Sequence, residues 1–189
     1  MRSIVTDGLH RTNLESVAAR LDVFRSQVVY YFKSGDELLL SLLAHISFTA
    51  QSMLAEDMGA AATPPEKLIA LIRSTFRWAR EEPSQVKVRF ALFNLYTSAP
   101  KFKKRHSEIY STAVERIEVL LKEMGVKDAR PVSEGIVAIF TGRLMYHFST
   151  NAQGGLDRIE EDTLLLSNAL VRGRLNAWVP TRCAWVAQA

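Results

Sequence analysis

From Leu38 onward the apolar residues Leu39, Leu42, Leu43, Ile46, Met53 and Leu54 recur at steps of three and four, the spacing that gathers side chains into one stripe of an α-helix. Similar periods run along most of the 189 residues, and nothing alternates at period two for long enough to build a sheet. Val28-Val-Tyr-Tyr-Phe32 is the one strand-like run. With helices on each side and short connections, a lone strand there has nothing to pair with. The chain is therefore read as all-α. Its 48% apolar and 23% charged side chains suit a packed core rather than a disordered tail.

Helix starts are marked as well. Ser34-Gly-Asp-Glu37, Thr12-Asn-Leu-Glu15 and Thr63-Pro-Pro-Glu66 each have the form of a capping box, in which a hydroxyl and a glutamate satisfy the first amides reciprocally. The first opens a long helix running to about Met58, on the order of 37 Å at 1.5 Å per residue. The second opens a short segment with Leu14, Val17, Ala18 and Leu21 on one face, and the third a segment with Ile69, Ile72, Phe76 and Ala79 on one face. Pro83 and Pro100 punctuate the middle of the chain, giving helices near 65–82, 84–97 and 101–124, the last stopped by Gly125. Two more are expected near 132–151 and 157–177, separated by Gln153-Gly-Gly-Leu156, with Asp157 as a cap. Gly135, Ala138 and Gly142 form a small-residue stripe open to close approach by a neighbouring helix. Trp178 to Ala189 carries no recognisable element.

Several function classes find no support. No uninterrupted apolar run exceeds about five residues, against about 20 for a membrane span, and the start MRSIVTDGLH lacks a secretory apolar region, so a cytoplasmic protein without a membrane is expected. Cys183 is the only cysteine, which removes an intramolecular disulfide and a cysteine-rich zinc site. His10, His45, His106 and His147 have no metal-ligand spacing, and neither a nucleophile motif nor a phosphate-cradling glycine loop occurs, so neither enzyme chemistry nor a cofactor is expected. The acidic cluster Asp157, Glu160, Glu161 and Asp162 reads as a helix first turn complementing the dipole. Net charge is +4, yet residues 1–50 hold five basic and five acidic side chains. The densest basic run, Lys101 to His106, is read as a solvated helix start, because Glu108, Glu115 and Glu118 come after it.

Two short helices and a tight turn ahead of a long helix, from Thr12 to Leu43, have the layout of a helix-turn-helix. Gly8, Thr12, Val17-Ala18, Val23, Tyr31-Phe32, Ser34 and Leu38-Leu39 stand at the spacing of the tetracycline-repressor (TetR) family of bacterial regulators, which the chain resembles over roughly residues 8–47. Beyond that stretch the likeness lies in helix count, length and order. Departures are specific. Asp22-Val23-Phe24 replaces the family's Gly-Val-Ser in the turn, Val29 replaces a tyrosine and Gly35 a lysine that usually hold phosphates. Only Met1 to Asp7 precede Gly8, so either the native start lies upstream or the module is less stable.

With Val23, Val28 and Phe32 facing Leu14, Val17 and Leu21, the helical period turns Arg25, Ser26, Gln27 and Tyr30 outward. Arginine suits a guanine edge and glutamine an adenine edge, through paired hydrogen bonds. Thr12 and Lys33 would hold phosphates, Lys33 or Tyr30 standing in for the missing tyrosine. The resemblance adds Tyr31 to this DNA-contacting set and implies an N-terminal three-helix DNA-binding module over 1–47. It implies next a larger helical effector-binding and dimerisation domain over 48–178 and a tail over 179–189. Phe76, Phe90, Phe93, Asn94, Tyr110, Met145 and His147 are candidates for enclosing a small apolar or amphipathic effector. Ile136, Val137, Phe140, Leu164, Leu165 and Leu170 are candidates for a four-helix homodimer interface.

The expected function is a ligand-responsive regulator, a repressor, binding a pseudo-palindromic double-stranded DNA operator as a homodimer. The alternative is an all-α dimeric small-molecule-binding protein whose degenerate helix-turn-helix no longer binds DNA. Phe24, Val29, Gly35, the short first helix and the neutral charge of residues 1–50 favour that alternative.

Overall fold

The structure, a computed structural model, describes residues 1–150 and 155–174. The tail over 179–189, Cys183 and Gln153-Gly lie outside the described residues, whereas the helix expected to reach 177 already ends at Arg172, with Gly173 and Arg174 in a turn.

Helices account for the regular structure, in the order α1 (Arg2–Asp7), a 3-10 turn (Leu9–Arg11), α2 (Leu14–Leu21), α3 (Arg25–Tyr31), α4 (Gly35–Gly59), α5 (Pro64–Glu81), α6 (Pro83–Ala91), α7 (Phe93–Ser98), α8 (Pro100–Glu123), α9 (Ala129–Thr150) and α10 (Gly155–Arg172). Residues 28–31, the strand-like run, are helical, and Phe32 caps the end of α3 in an extended conformation. Two of the three capping boxes form much as the sequence implies. Thr63 and Glu66 bond reciprocally at 2.9 and 3.4 Å. At the start of α4 the Glu37 amide donates to Ser34 Oγ at 3.2 Å, while the Glu37 carboxylate reaches one residue further back, to the Lys33 amide at 2.6 Å. The box expected on Thr12 and Glu15 is displaced by one residue. Asn13 Oδ1 accepts from the Ser16 amide at 2.8 Å and Ser16 Oγ accepts from the Asn13 amide at 3.0 Å. Asparagine caps more strongly than threonine, and the Thr12 hydroxyl turns back to donate to the Gly8 carbonyl at 3.1 Å.

The helix expected near 84–97 is two. Leu92 sits between α6 and α7 at φ −76 and ψ −5, well off the helical ψ of about −42, and a new ladder starts from its own carbonyl, which accepts from Leu95 at 2.9 Å. Leu92 is wholly buried, so the break places an apolar side chain in the core. Helix α9 begins three residues earlier than expected. Pro131 falls in its first turn, where a missing amide costs nothing.

The chain divides into two compact units. One comprises Met1–Thr49 with Glu82–His106. Its core holds Ala18, Val28, Leu39, Leu43, Ile46, Val86, Val88, Leu92 and Phe102, and α1 packs against α6. The short α1 is tied to α2 by an ion pair between Asp7 and Arg20. The other comprises Ala50–Glu81 and the residues from Ser107 onward. There α10 packs on both α9 and α5 around Phe76, Ile117, Leu121, Ile136, Ile159 and Val171. Three of the four acidic residues of the cluster are consumed structurally: Arg80 bridges Asp157 at 3.0 Å and Glu160 at 2.7 Å, and Arg143 meets Asp162 at 3.2 Å.

Among the described residues one helix, α4, is long and apolar enough to cross a membrane by length and composition, with a mean hydropathy of 1.5 over its most apolar 18 residues. Counting uninterrupted apolar runs overlooks it, because uncharged Ser41, His45, Ser47 and Thr49 break the runs without lowering the mean far. A mostly buried core helix of a globular protein satisfies the same criterion, whereas 17% of that stretch of α4 is buried, Leu39, Leu43 and Ile46 being the buried residues of the helix.

Candidate nucleic-acid interface

The turn between α2 and α3 closes without a glycine. Asp22 takes the left-handed conformation, φ 54 and ψ 45. Its amide donates to Ala19 at 3.3 Å and the Val23 amide to Ala18 at 3.1 Å, the paired bonds of a Schellman motif. Aspartate tolerates that region better than most side chains, so the backbone path of a tight helix-turn-helix is kept.

Two of the residues expected to face inward do not. Leu21 is 63% exposed and Val23 also lies at the surface. Leu21 is the last residue of α2, and a helix of seven residues such as α3 covers little of its partner. The contact is carried by Val28 and Ala18, both buried, with Leu14, Val17 and Phe32 half-buried.

Arg25, Ser26, Gln27, Tyr30 and Tyr31 are exposed. Ser26, Gln27, Tyr30 and Tyr31 line a shallow cleft of about 340 Å³, and the two tyrosine rings meet edge to face at 5.1 Å. Gln27 has a task the sequence did not reveal. Its Oε1 accepts from the Phe24 amide at 2.9 Å, closing the start of α3, where phenylalanine supplies no capping oxygen. Pairing with adenine requires that same oxygen, so Gln27 faces the solvent chiefly with its two N–H donors. Lys33 is similarly engaged: Nζ donates to the carbonyls of Tyr30 at 3.2 Å and Val29 at 3.4 Å, and lies 5.8 Å from the centre of the Tyr30 ring. A cation there complements the C-terminal end of α3. Thr12 is half-buried.

Charge is distributed differently from the impression left by residues 1–50. The compact unit that holds the helix-turn-helix also takes in Glu82–His106, and therefore the basic run from Lys101. Its eleven Lys and Arg against six Asp and Glu make it +5, more than the +4 of the whole chain. Lys101, Lys103 and Lys104 are exposed around a wholly buried Phe102. In the same unit His106 stacks on Tyr96 at 4.2 Å and 8°. Burial pushes the Tyr96 hydroxyl up to about 12, and burial followed by the nearby Arg89 holds the His106 imidazolium form below its usual range.

The residues expected to hold an effector are divided. Phe90, Phe93 and Asn94 belong to the first unit, and Phe76, Tyr110, Met145 and His147 to the second. Phe76 is wholly buried, Phe90, Tyr110 and His147 are half-buried, and Phe93, Asn94 and Met145 are exposed. His147 Nδ1 is buried with no hydrogen-bond partner among the described residues. None of the seven lines the cleft of about 840 Å³ in the second unit, whose walls include Glu56, Asp57, Arg73, Arg77, Arg80 and Glu160.

Of the residues expected at a dimer interface, Ile136 and Val137 are buried within the chain, because α9 uses that face for its own core. Phe140 and Leu164 are half-buried. Leu165, 58% exposed, and Leu170 are at the surface, joined there by Met145, Tyr146 and Leu166. Within the glycine stripe only Gly135 is closely approached: a Cβ there would meet Leu170 Cδ1 at 3.3 Å, whereas Gly142 faces open space.

No protein-family model and no curated protein matches the chain. Solved structures do. A transcriptional regulator from Rhodococcus sp. superimposes with a TM-score of 0.82 at 16% identity, over 92% of each chain. A TetR-family transcriptional regulator from Streptomyces coelicolor gives 0.77 at 16% identity, over 93% of this chain and 91% of that one. A regulator from Saccharomonospora viridis, solved in complex with choline, gives 0.77 at 18% identity, over 86% and 88%. The all-α fold is that of TetR-family regulators.

Proposed function

We propose that the chain is a DNA-binding transcriptional regulator, a ligand-responsive repressor that reads a pseudo-palindromic operator as a homodimer. The observation that carries this reading is the first turn of α3. A closed helix-turn-helix presents Arg25, Ser26 and the Gln27 donors to solvent, in a unit carrying net charge +5. Positive charge attracts the duplex and the exposed turn meets base edges. Residues 1–47 act as the DNA-binding domain, to whose compact unit Glu82–His106 adds the positive charge, and the rest of 48–178 acts as the effector-binding and dimerisation domain. The exposed apolar residues Leu165, Leu166, Leu170, Met145 and Tyr146 suit a second copy of the chain. The effector is a small apolar or amphipathic molecule. Tyr110 and the buried Nδ1 of His147 are suited to orient it.

In a dimer, effector binding would shift the population toward a spacing of recognition helices unlike the ~34–36 Å between successive major grooves. The test is selection from a random duplex library with the full chain, then titration of the enriched duplex at several salt concentrations. A regulator enriches an inverted repeat, binds it with affinity that falls steeply with salt, and loses at least tenfold on Arg25→Ala. Leu165→Glu is expected to yield monomers on sedimentation and to weaken binding to the full repeat. A dimer that enriches nothing is the degenerate ligand-binding protein instead.

A further inference from the structure

Phe24 is the most exposed large apolar side chain among the described residues, at 80%. It occupies the N-cap of α3 yet does none of the capping: the Gln27 amide is met by the Phe24 carbonyl at 2.9 Å, and the Phe24 amide by Gln27 Oε1. Its ring is neither core nor cap. The same turn exposes Arg25, whose side chain has no ion pair or hydrogen bond among the described residues, and Ser26. An exposed apolar ring and an unengaged guanidinium on consecutive residues, at the start of an outward helix, match what a major groove offers. A thymine 5-methyl group takes apolar contact and an adjacent guanine takes arginine. The net charge of +5 in this unit favours a polyanion over an apolar protein surface as the occupant.

We infer that Phe24 is a specificity-determining residue that packs against a thymine methyl group in each half-site, next to the base read by Arg25. The inference rests on the DNA-binding reading above and goes further, since it assigns a base preference to a residue that departs from the family pattern.

The experiment uses the duplex enriched by the full chain, with each thymine in turn replaced by uracil, which removes only the methyl group. The unmodified protein is expected to bind about fourfold more weakly when one particular thymine of either half-site is replaced, the factor for one buried methyl, and about sixteenfold more weakly when that thymine is replaced in both. Phe24→Ser is expected to bind the thymine and uracil duplexes equally, and Phe24→Leu to keep part of the preference. Serine is a favoured N-cap, so that variant keeps α3 closed. An enriched repeat with no uracil effect, or with the same effect in Phe24→Ser, overturns the inference and leaves the DNA-binding reading standing. Binding of every duplex by Phe24→Ser as by the unmodified protein also overturns it. Failure to enrich any duplex overturns the DNA-binding reading itself.

Discussion

Two substitutions at Gln27 separate capping from base recognition. Its Oε1 closes the start of α3 through one hydrogen bond of 2.9 Å to the Phe24 amide, and the N-cap residue contributes no side-chain oxygen. The bond is exposed, so its net worth is about 1 kcal/mol. Gln27→Ala deletes the oxygen and leaves the Phe24 amide to water. The expected loss is about 1 kcal/mol, or roughly 2–4 °C in Tm for a chain of this size, where unfolding is a single transition. Gln27→Glu keeps an oxygen at the same reach and adds negative charge to the first turn of α3, worth about 0.3–1 kcal/mol. Its Tm is expected to equal or exceed that of the unmodified protein.

On DNA the order reverses. Gln27→Ala retains most of the affinity, since arginine and backbone contacts remain, whereas Gln27→Glu sets a carboxylate against phosphates and base acceptors and is expected to lose more than tenfold. Thermal unfolding monitored by circular dichroism, with fluorescence anisotropy on the enriched duplex, reads both quantities. Equal destabilisation by alanine and glutamate would refute the capping argument. Unchanged DNA affinity in Gln27→Glu would mean that α3 does not enter the groove.

Single features elsewhere carry expectations of their own. Asp22→Gly relieves a left-handed φ of 54 and removes a negative charge from the C-terminal end of α2, effects of about 1 and 0.3–1 kcal/mol that outweigh the ~0.5–1 kcal/mol entropic cost of glycine. Its urea midpoint should rise, with Asp22→Asn reporting the charge effect alone; a lower midpoint sinks the argument. Ser167 and Ser74 are buried with hydroxyl oxygens that have no hydrogen-bond partner among the described residues, so Ser167→Ala and Ser74→Ala should each leave stability unchanged or raise it by about 1 kcal/mol. A loss above that size in denaturant titration contradicts the reasoning. Because burial raises the Tyr96 hydroxyl from 10.0 to about 12, the folded protein holds that proton where the unfolded chain has released it. Stability is therefore intact below pH 10 and declines as the pH climbs toward 12. Tyr96→Phe should flatten that alkaline decline in unfolding curves, and an identical decline would locate the effect elsewhere.

Local chemistry made much of this protein legible before any fold was in view. Apolar steps of three and four identify helices, Ser34–Glu37 and Thr63–Glu66 mark where two of them start, and prolines mark where others stop, because each signal acts within one or two turns of the chain. The outward face of α3 was legible for the same reason: period alone separates Val28 from Arg25, Ser26 and Tyr30. What Gln27 does was not, since any exposed glutamine offers an oxygen and only the backbone conformation at Phe24 brings an amide to it. Ile136 and Val137 read equally well as interface or interior until α9 found its neighbours. The charge of the unit holding the helix-turn-helix depended on a contact pattern that joins Lys101–Arg105 to residues far earlier in the chain. Periodicity and capping are properties of neighbouring residues, whereas burial, engaged hydrogen-bond partners and summed charge belong to groups that only long-range packing brings together.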